Sequence, residues 1–102
     1  MRLFFKNLKD SPRNLIQRAG YHFERITPTG EESYARRAGA GEFPKFHIYV
    51  QKQGEETILN LHFDQKKASY GGHAMHSGEY EDSEVLEREA EMLKKFLISN
   101  FQ

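Results

Sequence analysis

The chain has 102 residues, no cysteine and a formal net charge of zero, and 37% of its residues are apolar. This length suits one small domain, residues 1–102, with a single core, and the lack of cysteine excludes disulfides, thiol nucleophiles and cysteine zinc sites. No stretch approaches the roughly 18 apolar residues of a membrane span, and the N-terminus lacks the apolar run of a signal peptide, so we expect a soluble cytoplasmic protein with no membrane partner.

The two halves of the chain carry opposite charge. Residues 1–52 hold ten Lys and Arg against five Asp and Glu, and residues 53–102 hold five against ten. The cations of the first half either form a phosphate-binding surface, if the fold gathers them on one side, or are scattered solubilising charges. They include Arg13, Arg18, Arg25, Arg36, Arg37, Lys45 and Lys52.

The first elements in chain order are a short apolar segment and a helix. Met1 to Leu8 fits either a strand or an apolar lead-in to the helix, and we favour a short strand. Ser11-Pro12 then provides a side-chain N-cap followed by proline at the first helical position, and Gly20 is placed to end the helix. A short N-terminal helix is therefore predicted between Pro12 and Gly20.

Two hairpins follow. Residues 21–26 alternate, Pro28-Thr29-Gly30 turns the chain, and residues 32–37 return. The second hairpin joins residues 46–50 to residues 58–64, and its alternation separates an apolar face from a polar one. The polar face carries His47, Tyr49, Asn60, His62 and Asp64.

The register of the second hairpin depends on its turn. A two-residue turn at Gln53-Gly54 places His47 opposite Asn60, and a turn one residue later places it opposite His62. In both cases the two imidazoles lie within reach of one another.

The last element is predicted to be a long helix that begins near Asp82 or Ser83, with an apolar stripe from Val85 onward and acidic residues in its first half. Residues 65–81 show little periodicity, and we expect an ordered loop folded back on the sheet edge. The fold class is then α+β: a four-stranded antiparallel sheet made of two hairpins, with the short N-terminal helix and the long C-terminal helix packed on one face. The polar face with His47 and His62 is left open to solvent.

In a first interpretation of the polar face, His47 and His62 act as the general base and the general acid of a ribonuclease. An imidazole exchanges protons near neutral pH, and RNA supplies its own nucleophile, the 2′-hydroxyl, so that no metal is needed. Lys66 and Lys67 would hold the phosphate, and Tyr49 and Asn60 would contact the substrate.

In a second interpretation the same region binds a metal. His62 and Asp64 lie on one face of a strand, and His73-x-x-His76 could complete a set of nitrogen and oxygen ligands suited to zinc. The protein would then be a metal-binding or protein-interaction module. In a third interpretation these side chains form only a solvated sheet face.

The chain also resembles a known family. Its helix ending in Ala19-Gly20-Tyr21, the strand with Phe46-His47-Ile48-Tyr49, the next strand ending in His62 and the terminal helix are similar to the HicA-type mRNA interferase toxins. The resemblance implies a fold like that of double-stranded-RNA-binding domains, RNA binding on the exposed sheet face and a catalytic histidine at His47. A protein partner such as an antitoxin is then possible, and we expect the chain to be a monomer or homodimer.

A further likeness covers residues 59–80. The segments Leu59-Asn60-Leu61-His62-Phe63-Asp64 and His76-Ser77-Gly78-Glu79-Tyr80 resemble a group of small uncharacterised bacterial proteins. This likeness implies no function.

Overall fold

The computed structural model describes the backbone of residues 1–65 and 75–99, and the side chains of residues 1–65 and 84–98. Five strands and two helices follow one another in the chain, and a π-helical turn, Lys95–Ser99, continues the second helix. The elements are β1 (Arg2–Lys6), α1 (Pro12–Arg18), β2 (His22–Ile26), β3 (Glu32–Arg37), β4 (Lys45–Gln53), β5 (Glu56–Asp64) and α2 (Met75–Lys94).

The strands form one antiparallel sheet in the order β1-β5-β4-β3-β2. The α+β class and the two hairpins are confirmed, but the sheet has five strands rather than four. The additional strand is the N-terminal segment, which pairs with β5 so that Leu3 lies opposite Leu59. Leu3 and Phe5 are buried while their neighbours along the strand are exposed, and this alternation explains why the segment is a strand at the edge of the sheet.

Helix α1 begins as the sequence predicts. The Ser11 hydroxyl accepts a hydrogen bond from the backbone N–H of Asn14 at 3.1 Å, and Pro12 occupies the first helical position. After the helix, Gly20 adopts a φ of +103°, and a Cβ there would lie 3.1 Å from Cδ of Arg36. The backbone conformation therefore favours glycine at this position, and a larger residue would also need the Arg36 side chain to shift slightly.

Both helices cover the same sheet face. Leu15 and Ile16 of α1 share one buried cluster with Leu93 of α2 and with the strand residues that point the same way, such as Ile48 and Leu61. The prediction that the helices pack on one side is thus confirmed. The opposite face carries the polar residues of β4 and β5.

Helix α2 begins at Met75, which is seven residues before Asp82, where the sequence predicted its start. The predicted start rests on the apolar stripe that begins at Val85, and the polar residues before Val85 are not part of this stripe. Glutamates such as Glu79 and Glu81 have high helix propensity, which is consistent with a longer helix. The predicted loop over residues 65–81 is therefore wrong for residues 75–81, and residues 66–74 lie outside the described residues.

A partly buried ion pair connects α2 to the sheet. Glu89 accepts hydrogen bonds from Nε and Nη2 of Arg36 at 3.1 and 2.6 Å, and from the hydroxyl of Tyr21 at 2.6 Å. Burial, reinforced by this bond to Glu89, raises the pKa of Tyr21, so its hydroxyl remains a donor. This satisfied network fixes the helix against β3.

No helix in the described part of the chain is long and apolar enough to cross a membrane.

Candidate functional site

The register of β4 and β5 places the two histidines of the hairpin face to face. Strand β4 ends at Gln53 and strand β5 begins at Glu56, and Gly54 has a φ of +63° in the turn between them. His47 is consequently paired with His62. Of the two registers allowed by the sequence, the structure adopts the one with the imidazoles directly opposed.

We call the surface formed by His47, Tyr49, Asn60, His62 and Asp64 the histidine face. All five project from the sheet side opposite the helices, because the residues between them point into the core. The Tyr49 ring contacts both imidazoles: it is stacked with His47, at 6.0 Å between centroids, and makes an edge contact with His62, at 5.6 Å. The three rings form a continuous aromatic row.

His47 is held by carboxylates at both ring nitrogens. Its Nδ1 is hydrogen-bonded to Oδ2 of Asp64 at 2.5 Å, and its Nε2 lies 3.4 Å from Oε1 of Glu24. The Ser33 hydroxyl donates to the same Glu24 oxygen at 3.3 Å. Only 13% of the His47 side chain is exposed, so the predicted solvent-open face is closed at this residue. A doubly protonated ring can donate to both carboxylates, and a neutral ring can donate to only one.

His62 has a different environment, since its side chain is exposed. Partial burial lowers the pKa of His62, and the positive charges of the N-terminus and of His47 act in the same direction, while Asp64 opposes them. The N-terminal ammonium is nearby because it donates a hydrogen bond to the carbonyl of Leu61 at 3.0 Å. At neutral pH His62 is therefore a neutral imidazole that can accept a proton.

A cleft of about 170 Å³ lies beside His47, and we call it the cationic cleft after Arg37 and Lys45, which line it together with two glutamates. Arg37 and Lys45 face each other across β3 and β4 at its wall. Its lining residues are His22, Glu24, Ala35, Arg37, Glu42 and Lys45.

The cations of the first half of the chain are not gathered on one surface. Arg13 lies 3.5 Å from Glu32, Arg18 lies 3.4 Å from Asp10, and Arg36 is bound to Glu89 on the helical side. Of the two alternatives that the sequence left open, the pairing of these three arginines with carboxylates favours scattered charges over a single phosphate-binding surface. Arg37 and Lys45 are the members that line the cleft.

The remaining predicted site residues divide into two groups. Asn60 lies opposite Tyr49 on the histidine face, as predicted. Lys66, Lys67 and His73 lie outside the described residues, and His76 belongs to α2 with a side chain that is also outside them.

The predicted zinc ligands are brought together only in part. His62 and Asp64 share a face of β5, but Asp64 is bonded to His47. Among the described side chains, no group of three or more His, Asp and Glu has metal-binding geometry. Ligation by His73 and His76 stays a prediction.

Sequence reasoning missed Glu24 and Ser33. Strand β2 contains an irregularity between Phe23 and Arg25, and such a bulge breaks the simple alternation from which faces are assigned. Ser33 does alternate with Ala35 and is paired with Tyr49, so its place on the histidine face was accessible once the pairing of β3 with β4 was assumed.

Comparison with protein-family models, with curated proteins and with solved structures found no match to this chain.

Proposed function

We propose that the histidine face binds single-stranded RNA and that His47 and His62 cleave it without a metal ion. The observation that carries this proposal is the direct pairing of His47 with His62, one imidazole held by a carboxylate and the other exposed with a lowered pKa. Two imidazoles in different environments are suited to different proton-transfer roles.

Binding is supported by aromatic and cationic side chains along the sheet. Tyr49 and His62 belong to the aromatic row, and Phe4 of β1, 55% exposed, points to the same side because its pairing partner Ile58 alternates with Asn60. Exposed Arg2 and Lys6 flank Phe4 on that strand. Stacking of bases on such rings, with cations near the backbone, is a common mode of single-strand recognition and is tolerant of sequence.

The chemistry proceeds in one displacement, in which the lowered pKa of His62 makes this residue, rather than His47, the base. Neutral His62 accepts the proton of the 2′-hydroxyl, and the 2′-oxygen forms a bond to phosphorus. The bond from phosphorus to the 5′-oxygen breaks, and that oxygen receives a proton from Nε2 of His47, which exchanges its contact with Glu24 for the substrate. The products are a 2′,3′-cyclic phosphate and a free 5′-hydroxyl.

The other parts of the site have supporting roles in this proposal. Asp64 orients the His47 ring through Nδ1, Asn60 and Tyr49 contact the RNA, and Lys66 and Lys67, which follow Asp64 closely in the chain, neutralise the phosphate. The HicA-type resemblance agrees with an interferase acting in the cytoplasm as a monomer or homodimer, with an antitoxin as its protein partner.

A binding and cleavage experiment tests the proposal. Fluorescence anisotropy of a labelled single-stranded RNA, at several salt concentrations, should show binding that weakens steeply as salt rises. The same RNA incubated in excess chelator should be cut by the natural protein and not by His62→Gln, which retains a polar side chain. Absence of both binding and cutting at low salt overturns the proposal, and cutting that the chelator abolishes supports a metal site instead.

A further inference from the structure

The cationic cleft contains an unusual pairing of like charges. Arg37 and Lys45 are direct partners across β3 and β4, where side chains stand about 4.5–5.5 Å apart at Cβ and like charges destabilise the sheet. A bound anion would relieve this repulsion.

Three carboxylates lie near these two cations, and two of the three have other partners. Asp64 is the partner of Lys45 on the other side, across β4 and β5, but its Oδ2 is bonded to His47. Glu24 lies against His47 and accepts from Ser33. Glu42 lines the cleft as well, but within the described residues neither Arg37 nor Lys45 forms an ion pair. Lys45 Nζ instead lies 4.9 Å from the ring centroid of Phe43.

The size and position of the cleft suit a phosphate group. Its volume of about 170 Å³ equals that of roughly five or six water molecules at about 30 Å³ each, which accommodates one phosphate. Arginine presents a planar fork that matches phosphate oxygens, and lysine adds a point charge. The cleft is next to the proposed catalytic histidine, because Glu24 lines the cleft and its Oε1 lies 3.4 Å from Nε2 of His47.

We propose that Arg37 and Lys45 bind the RNA phosphate adjacent to the scissile one. This inference rests on the proposed function. A phosphate bound there positions the RNA so that its next phosphate lies at His47. Its negative charge also repels the Glu24 carboxylate and favours movement of Glu24 away from Nε2.

The test compares two double variants of equal net charge. Arg37→Gln with Lys45→Gln removes the cleft cations, and Arg88→Gln with Lys95→Gln removes two exposed cations of the helical layer. Thermal melts verify that each variant folds. With labelled single-stranded RNA, the first variant should lose about tenfold in affinity, since charge-assisted hydrogen bonds to one phosphate are removed. The logarithmic salt slope should fall by about 0.7, and the control should retain both values.

The outcomes separate this inference from the proposed function. If the natural protein binds RNA and the cleft variant retains the affinity and slope of the control, the subsite is wrong and RNA binding stands. If the natural protein binds no RNA, a titration with inorganic phosphate, followed by the NMR amide signals of Ala35 and Lys45, tests the cleft separately. Shifts that the cleft variant abolishes support an anion site, and unchanged signals overturn it.

Discussion

His47 lies directly opposite His62 across β4 and β5, and the ring of Tyr49 contacts both imidazoles. The pair is chemically unequal, because Asp64 binds Nδ1 of His47 while His62 is exposed near the N-terminal ammonium. Inequality of this kind permits one imidazole to accept a proton while the other donates one.

The lowered pKa of His62 predicts the acid side of the pH–rate profile. His62 acts as a base only when neutral, so the cleavage rate should rise with pH through an apparent pKa below the usual value of about 6.5. His62→Ala should remove this rise and lower the rate by about 10²- to 10⁴-fold. Single-turnover rates between pH 4.5 and 8 provide the measurement. A rise centred above 6.5 in the natural protein contradicts the assignment.

Asp64→Asn should weaken cleavage without weakening RNA binding. The amide no longer provides the carboxylate that orients Nδ1 of His47, so we expect the cleavage rate to fall by about tenfold or more. Affinity for RNA should be unchanged or higher, because a negative charge is removed. Glu56→Gln, on the same strand and face, is the matched control. Equal rates for the two variants would remove any role for Asp64 in positioning His47.

Two substitutions of Tyr49 distinguish the contribution of ring stacking to RNA binding from that of hydrogen bonding by the hydroxyl. Replacement by alanine should weaken RNA binding by about 1–3 kcal/mol, the range for loss of one base–aromatic stack, and replacement by phenylalanine should retain most of the affinity. Anisotropy titrations at one fixed salt concentration give the comparison. An alanine variant that binds like the natural protein would exclude the aromatic row from the interface.

The ion pair under α2 predicts a stability effect remote from the histidine face. Glu89→Ala leaves Arg36 and the Tyr21 hydroxyl without their shared acceptor, and a buried polar group left without its partner costs about 1–3 kcal/mol. Urea unfolding should show this loss, while Glu87→Ala, exposed on the same helix, should change the free energy of unfolding by less than about 0.5 kcal/mol. Equal midpoints for both variants would show that the network contributes little.

The sequence predicted the two faces of the second hairpin because side chains alternate along a strand with a period of two, so that each residue points to one face or to the other. It left the pairing of His47 open, since that depended on whether the turn was centred at Gln53-Gly54 or one residue later. The edge strand β1 was recognisable from Leu3 and Phe5, but the residues of β5 that pair with it are 50 to 58 positions away in the chain, and local patterns do not indicate such distant pairing.

The side chains around His47 were the hardest to predict. Asp64 was recognised as a member of the same face, but its bond to Nδ1 depends on side-chain rotamers rather than on register. Glu24 reaches Nε2 from a strand whose alternation is interrupted. The start of α2 was missed for a different reason, because apolar periodicity reports packing rather than the extent of the helix.

A matched pair of oligonucleotides in excess chelator, one of RNA and one of DNA with the same sequence, shows whether His47 and His62 cleave by way of the 2′-hydroxyl. Both carry the phosphates that the cations bind, but only RNA has the 2′-hydroxyl that His62 deprotonates. We predict that the protein cuts the RNA to products ending in a 2′,3′-cyclic phosphate and leaves the DNA intact. Cleavage of both, or an uncut RNA that is nevertheless bound, would contradict the account of His47 and His62 as acid and base.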